Sequence, residues 1–280
     1  MKPLLSLLVP LGLVTGAASL PAADADAAPP RPNILLIISD DQGWGDFGFM
    51  GHAQIRTPHL DALAAQSLTF HRGYTPVPLC RPSLASIATG LYPHQHGVTG
   101  NDPLLPKEAG SAMAARGNPH YARYYDTIVS NFAQQPNLVR DLTKRGYVSF
   151  QTGKWWEGDP VATAGFSEAM TVGTGKGDRH GGAGLQIGRP KLDPIYQFIE
   201  RAGSKPWLAW YAPLLPHAPH TPPDALLQKY LKLAPTEAVA RYWACVEWFD
   251  QGCGELIAHL EKSGQRSNTI IVELPLHLEP

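Results

Sequence analysis

From Asn33 to Ser39 the chain reads NILLIIS, an apolar run bounded by Pro32 and two aspartates. A run that is apolar at odd and even positions alike predicts a strand covered on both faces, as in a parallel sheet. Thr57-Pro58 opens a helix through about Ser67, with Thr as N-cap and Pro at the first helical position. Pro82 to Thr89 reads as a second helix closed by Gly90. Asn137 to Arg145 reads as a helix stopped by Gly146, and Tyr147 to Gln151 as a strand running into Gly153-Lys154-Trp155. Asp193 to Ala202 is helical in pattern, and Trp207 to Tyr211 is a strand followed by a Pro/His loop through Pro223. Thr236 to Lys262 predicts a long helix with Gly252 and Gly254 as weak points. Asn268 to Val272 predicts a last strand. Strands alternating with helices predict an α/β fold, a mostly parallel central sheet flanked by helices, with no repeat and no internal domain boundary.

Outside these elements the pattern changes twice. The segment Gly173 to Gly188 is Gly-rich but lacks the Gly-Lys-Ser/Thr of a phosphate-binding loop. Residues 1–28 read as an export signal: Lys2, an apolar stretch over 4–13, then small residues with Ala23-Asp24-Ala25 and Ala25-Asp26-Ala27 as cleavage sites. That stretch is shorter than the roughly 20 residues of a membrane span. The expected location is therefore secreted or periplasmic, with no membrane span. The 280 residues suffice for one sizeable core. Net charge is −1, which gives no basis for a nucleic-acid partner. Of the three cysteines, Cys245 and Cys253 stand eight residues apart on one predicted helix. That is about 12 Å of rise, too far for a disulfide. Cys80 is isolated in a Pro-rich segment, which raises the question of its use.

Ligands of open parallel sheets bind at the carboxyl ends of the strands. Asp40-Asp41, Lys154 and His217 each follow a predicted strand, and Cys80 precedes a helix. Adjacent aspartates with Gln42 suit a hard cation, Ca²⁺ or Mg²⁺, or else form an ordinary turn or cap. Cys80 near a helix N-terminus feels a field that binds anions and favours thiolate, or else is a structural cysteine. Lys154 suits an anionic oxygen and His217 proton transfer, although a single loop Lys or His is commonly just solvated.

Taken together these segments resemble the sulfatase family. Pro32-Asn33-Ile34-Leu35 through Ser39-Asp40-Asp41-Gln42-Gly43-Trp44-Gly45 is similar to its opening strand and metal-binding aspartates. Arg56-Thr57-Pro58-His59-Leu60-Asp61-Ala62-Leu63-Ala64 resembles the following segment. Cys80-Arg81-Pro82-Ser83-Leu84-Ala85-Ser86-Ile87-Ala88-Thr89-Gly90 resembles the sulfatase signature, and Gly153-Lys154-Trp155 and Pro216-His217-Ala218-Pro219 two later motifs. The resemblance runs from about Arg31 to Val272. It implies an alkaline-phosphatase-like fold and a sulfuric-ester hydrolase. It further implies that Cys80 is converted to formylglycine by a formylglycine-generating maturation enzyme, and that Asp40, Asp41 and residue 80 ligate Ca²⁺. The aldehyde hydrate would attack sulfur, with Lys154 on a sulfate oxygen and His217 protonating the leaving alcohol. Lys154 and His217 would thus both touch substrate, a sulfated small molecule or polysaccharide.

The resemblance has departures. Leu84 stands where the signature has Arg, which puts conversion of Cys80 in question. Trp156 stands where the family often has His. After the last strand, Glu273 to Pro280 replaces the Asp-Asn pair that would complete the metal site, so 31–273 reads as an incomplete catalytic domain, 274–280 as an atypical tail, and the smaller C-terminal subdomain as missing. Two alternatives follow: a degenerate binding protein, and a phosphate-ester or phosphonate hydrolase of the same superfamily with unmodified Cys80. Specificity is expected on loops such as Gly173–Gly188, with Arg179 and His180, and on His94-Gln95-His96.

Overall fold

The computed structural model describes residues 31–104, 119–173, 182–189 and 191–276. The export signal and most of the Gly-rich loop, with Arg179 and His180, lie outside the described residues. In chain order the elements are β1 (Asn33–Ser39), α1 (Pro58–Ala64), α2 (Cys80–Thr89), α3 (Pro93–His96), α4 (Pro119–Gln134), α5 (Leu138–Lys144), β2 (Val148–Gly153), α6 (Pro160–Ala164), β3 (Glu168–Ala169), α7 (Asp193–Ala202), β4 (Trp207–Ala212), α8 (Asp224–Tyr230), α9 (Glu237–Lys262) and β5 (Thr269–Pro275). The strands form one parallel sheet in the order β3-β2-β4-β1-β5.

The apolar run of β1 is buried because it sits between β4 and β5 with helices on both faces. Leu35 and Ile37 face one cluster with Phe198 and Ile199 of α7 and Phe249, Leu256 and Leu260 of α9. Leu36 and Ile38 face the other, with Leu84, Ala85 and Ala88 of α2, Phe132 of α4 and Val139 of α5. Each Leu, Ile, Val or Phe among them contributes about 1.5–3 kcal/mol on leaving water, before entropy is counted. The two-sided burial anchors the carboxyl end of β1, where the polar residues begin.

Several local expectations change. Thr57 does not cap α1; its hydroxyl accepts from Gly48 N and donates to Asp61 Oδ1, each at 2.8 Å. The capping acceptor is remote: the Asp250 carboxylate of α9 takes Leu60 N at 2.8 Å and His59 N at 3.3 Å. The helix ends at Ala64 rather than Ser67, because Gln66 N and Ser67 N bond three residues back. α2 begins at Cys80, two residues earlier than expected, since Pro82 is tolerated anywhere in a first turn whose amides need no intrahelical partner. Gly252 and Gly254 do not weaken α9. A Cβ on Gly254 would stand 2.4 Å from the His59 ring, so the glycine lets α1 lie directly on the helix. α4 was missed, although Tyr121, Tyr125 and Phe132 are its buried residues at helical spacing. β5 runs past Val272 to Pro275 in register with β1, which puts Glu273 opposite Ile37. None of the three cysteines is in a disulfide, and all three are buried. No described helix is long and apolar enough to cross a membrane.

Candidate metal and catalytic centre

β1 ends on Ser39, and the next amide, Asp40 N, donates to Leu215 O at 2.9 Å. Asp40 is thereby stitched to the loop after β4 and fully buried. Asp41 takes a left-handed backbone (φ 58), which swings its half-exposed carboxylate outward from the buried Asp40. β2 ends just as tightly. Gly153 has φ 78, and a Cβ there would lie 1.8 Å from Ala212 O. Only glycine permits this contact, and Lys154 N then donates to the same carbonyl at 2.7 Å. The buried Lys154 side chain is thereby aimed at Asp40, with Nζ 2.6 Å from Oδ2.

Cys80 is the first residue of α2 and is buried. Ligand atoms of Asp40, Asp41 and Cys80 all lie within 4.8 Å of one another. Lys154 belongs to the same group. Burial alone would depress its ammonium, but Asp40 and then Cys80 beside it raise its pKa above the ordinary lysine value. The ammonium also lies 5.9 Å from the centre of the Trp156 ring, which lines the site where an imidazole was expected. His217 approaches from the β4 loop, its Nε2 3.4 Å from Asp41 Oδ2. Its Nδ1 lies 2.6 Å from Ala218 O. A carbonyl only accepts, so the ring carries its proton on Nδ1, and protonation adds Nε2–H on the side of Asp41. All five sequence candidates, Asp40, Asp41, Cys80, Lys154 and His217, therefore come to one rim.

The donor set can be tested against a cation. Asp40 Oδ1 and Gln42 Oε1 are both buried without a hydrogen-bond partner. A buried carboxylate oxygen with no donor is costly unless a positive charge completes it. The two carboxylates of the group suit a hard, oxygen-seeking cation; a thiol does not. The set fits such an ion better once residue 80 presents oxygen in place of sulfur.

Sequence reasoning missed the support of this rim. Arg81 is fully buried and makes a two-pronged pair with Glu157, at 2.6 and 2.8 Å. Its guanidinium also stacks 4.3 Å over Tyr125. The pair ties the residue after Cys80 to the loop just after Lys154. Its only sequence trace is two charges flanking two motifs, which spacing alone cannot join. Leu84, in place of the signature arginine, is buried in the apolar cluster. His96 is not an exposed specificity residue: it is fully buried, with Nε2 3.0 Å from Ser86 Oγ. Burial and then His94 push it down to about 4, so it is a neutral structural ring.

The family model described as Sulfatase matches residues 32–274. The N-acetylgalactosamine-6-sulfatase of Canis lupus familiaris is 34% identical over 192 residues, covering 68% of this chain and 33% of the relative. Thus the chain spans about a third of the length of the curated relatives it matches. The crystal structure of Ps i-CgsB superposes with a TM-score of 0.67 at 24% identity, over 88% of this chain and 58% of that one. The phosphonate monoester hydrolase of Agrobacterium radiobacter follows with a TM-score of 0.64 at 18% identity, over 89% and 63%. At these identities the two structures speak for the fold alone, a mostly parallel sheet flanked by helices. The match over nearly the whole described chain, together with the identity to the canine enzyme, makes this chain a member of the sulfatase family.

Proposed function

We propose that the chain carries the catalytic rim of a sulfuric-ester hydrolase acting on a sulfated small molecule or saccharide. The single observation behind this is the convergence of Asp40, Asp41 and Cys80 within 4.8 Å, with Lys154 Nζ 2.6 Å from Asp40. Asp40, Asp41 and an oxygen on residue 80 would hold a divalent cation, Ca²⁺ or Mg²⁺. Bound there, the cation would offset charge on the transferred group, and a formylglycine made from Cys80 by a maturation enzyme would supply the attacking oxygen. Lys154, kept charged by Asp40, donates to a sulfuryl oxygen as negative charge grows on it. His217, protonated on Nε2 and held by Ala218 O at Nδ1, gives its Nε2 proton to the departing alkoxide as the S–O bond breaks. The canine relative is named for N-acetylgalactosamine 6-sulfate, which supports a sulfated sugar as substrate class. The 28 N-terminal residues support export, and the domain limits 31–273 and 274–280 belong to the same proposal.

Mass spectrometry of the peptide spanning Cys80, paired with sulfate release from an aryl sulfate, tests this reading. Formylglycine and sulfate release support it; an intact thiol with no release overturns it. Leu84 in the arginine position favours one second reading, a phosphate-ester or phosphonate hydrolase working with unmodified Cys80. Phosphate release with an intact thiol would establish that reading instead.

A further inference from the structure

The loop after β4 carries His217 and has few hydrogen-bond donors of its own. It reads Pro213-Leu214-Leu215-Pro216-His217-Ala218-Pro219-His220-Thr221-Pro222-Pro223. Proline has no N–H, so the loop is rich in carbonyls and poor in donors, and most of its acceptors need an outside partner. One end is fixed by Asp40 N on Leu215 O. Within the loop Thr221 N donates to Pro219 O at 3.0 Å, and from outside it one guanidinium reaches four acceptor positions. Arg189 Nη2 donates to Leu214 O at 2.6 Å and His217 O at 3.3 Å, and Nη1 donates to Pro219 O at 3.3 Å and Thr221 Oγ1 at 3.1 Å. Its own position is set from two sides. The guanidinium centre lies 5.7 Å from the Trp248 ring of α9. The preceding Gly188 has φ 77, and a Cβ there would meet Tyr211 Oη at 2.3 Å, so this backbone lies hard against β4.

We propose that Arg189 is a positioning residue for His217, a guanidinium clamp that sets which way the imidazole faces. The ring direction depends on the bond from Nδ1 to Ala218 O. The carbonyls on either side of Ala218, those of His217 and Pro219, are both gripped by Arg189. Fixing these two carbonyls fixes the 217–219 backbone, and with it the acceptor that orients the ring and leaves Nε2 towards Asp41. The planar fork is what the geometry uses. A lysine ammonium is a point donor and cannot span acceptors spread over eight residues of loop. The catalytic consequence rests on the reading of His217 as proton donor; the clamp itself does not.

The test is nitrogen-15 NMR of histidine-labelled protein, with the His217 ring assigned by its loss in His217→Gln. The parent chain is expected to show a slowly exchanging His217 Nδ1–H. Arg189→Ala is expected to lose that signal, Arg189→Lys to recover it in part, and guanidinium ion added to Arg189→Ala to restore it. In the same variants kcat on an aryl sulfate should fall by about 10- to 100-fold with KM within about twofold, as for a misplaced group rather than lost binding. If Arg189→Ala does not fold, Arg189→Lys decides. Unchanged His217 signals and turnover in Arg189→Lys overturn the clamp. A parent chain that releases no sulfate counts against the proposed function alone, because the NMR signature still tests the clamp.

Discussion

Two carboxylates on neighbouring strands are kept from water in different company. Asp40, at the end of β1, has Lys154 Nζ at 2.6 Å and shares its surroundings with Asp41 and Cys80. Glu273, on the adjacent β5, has an Oε1 sealed from solvent with no hydrogen-bond partner, and burial pushes its carboxyl up to about 8. A third, Asp250, stands between them. Burial raises it to about 6, but two backbone amides of α1 donate to it. Burial alone therefore does not mark a functional acid. Asp40 is set apart by a buried cation on one oxygen and an unpartnered oxygen on the other. Glu273 bears the desolvation cost with no hydrogen-bond partner on Oε1 among the described residues.

The largest expected effect comes from removing the Asp40 counter-ion. Lys154→Met should lower sulfate release by about 10²–10³ or more and cost about 3–5 kcal/mol in urea unfolding, because the carboxylate is left buried and alone. The double variant Asp40→Leu/Lys154→Met should regain most of the stability and none of the activity. If Lys154→Met unfolds like the parent, the pair is not what sustains Asp40.

The opposite outcome is expected at Glu273. Its folded pKa of about 8 exceeds the ordinary 4.5, so the native state keeps a proton that the unfolded chain releases between those values. Stability should be full below about pH 4.5, fall as pH rises towards 8, and level off above. Glu273→Val should thus gain about 2–4 kcal/mol at pH 8 and much less at pH 4.5 in denaturant titrations. An equal effect at both pH values would mean that the carboxyl is not sealed.

Cation binding should separate the exposed from the buried carboxylate. Ca²⁺ at about a hundredfold over its Kd should stabilise the parent by about 2.7 kcal/mol in thermal melts. Asp41→Asn, at a half-exposed position, should fold normally and lose that response. The smallest effect is expected at Asp250, where Asp250→Ala removes a cap and should cost about 1–2 kcal/mol by urea unfolding, with sulfate release unchanged.

Most of the frame could be read from residues alone, for physical reasons. The β1 run is apolar on both faces, which only a covered parallel strand tolerates, and Asn137 and Thr236 cap their helices through local hydrogen bonds. The five rim residues were legible because each follows a strand or opens a helix, and the topology delivers those ends to one side. What escaped depends on partners distant in sequence. Asp250 caps a helix 190 residues away, Arg81 finds Glu157 across 76, and Arg189 holds a loop about 30 residues on. α4 escaped although it was locally legible: Asn118-Pro119 is a preferred cap residue followed by a first-turn proline, and Tyr121, Tyr125 and Phe132 keep helical spacing.

The account depends most on Asp40, Asp41 and residue 80 closing on one cation. Diffraction from crystals of the chain grown with millimolar Ca²⁺ tests this directly. The prediction is a single ion bonded to both carboxylates and to residue 80, with Lys154 still beside Asp40. An ion bound elsewhere, or none at that concentration while Lys154 alone holds Asp40, would contradict it.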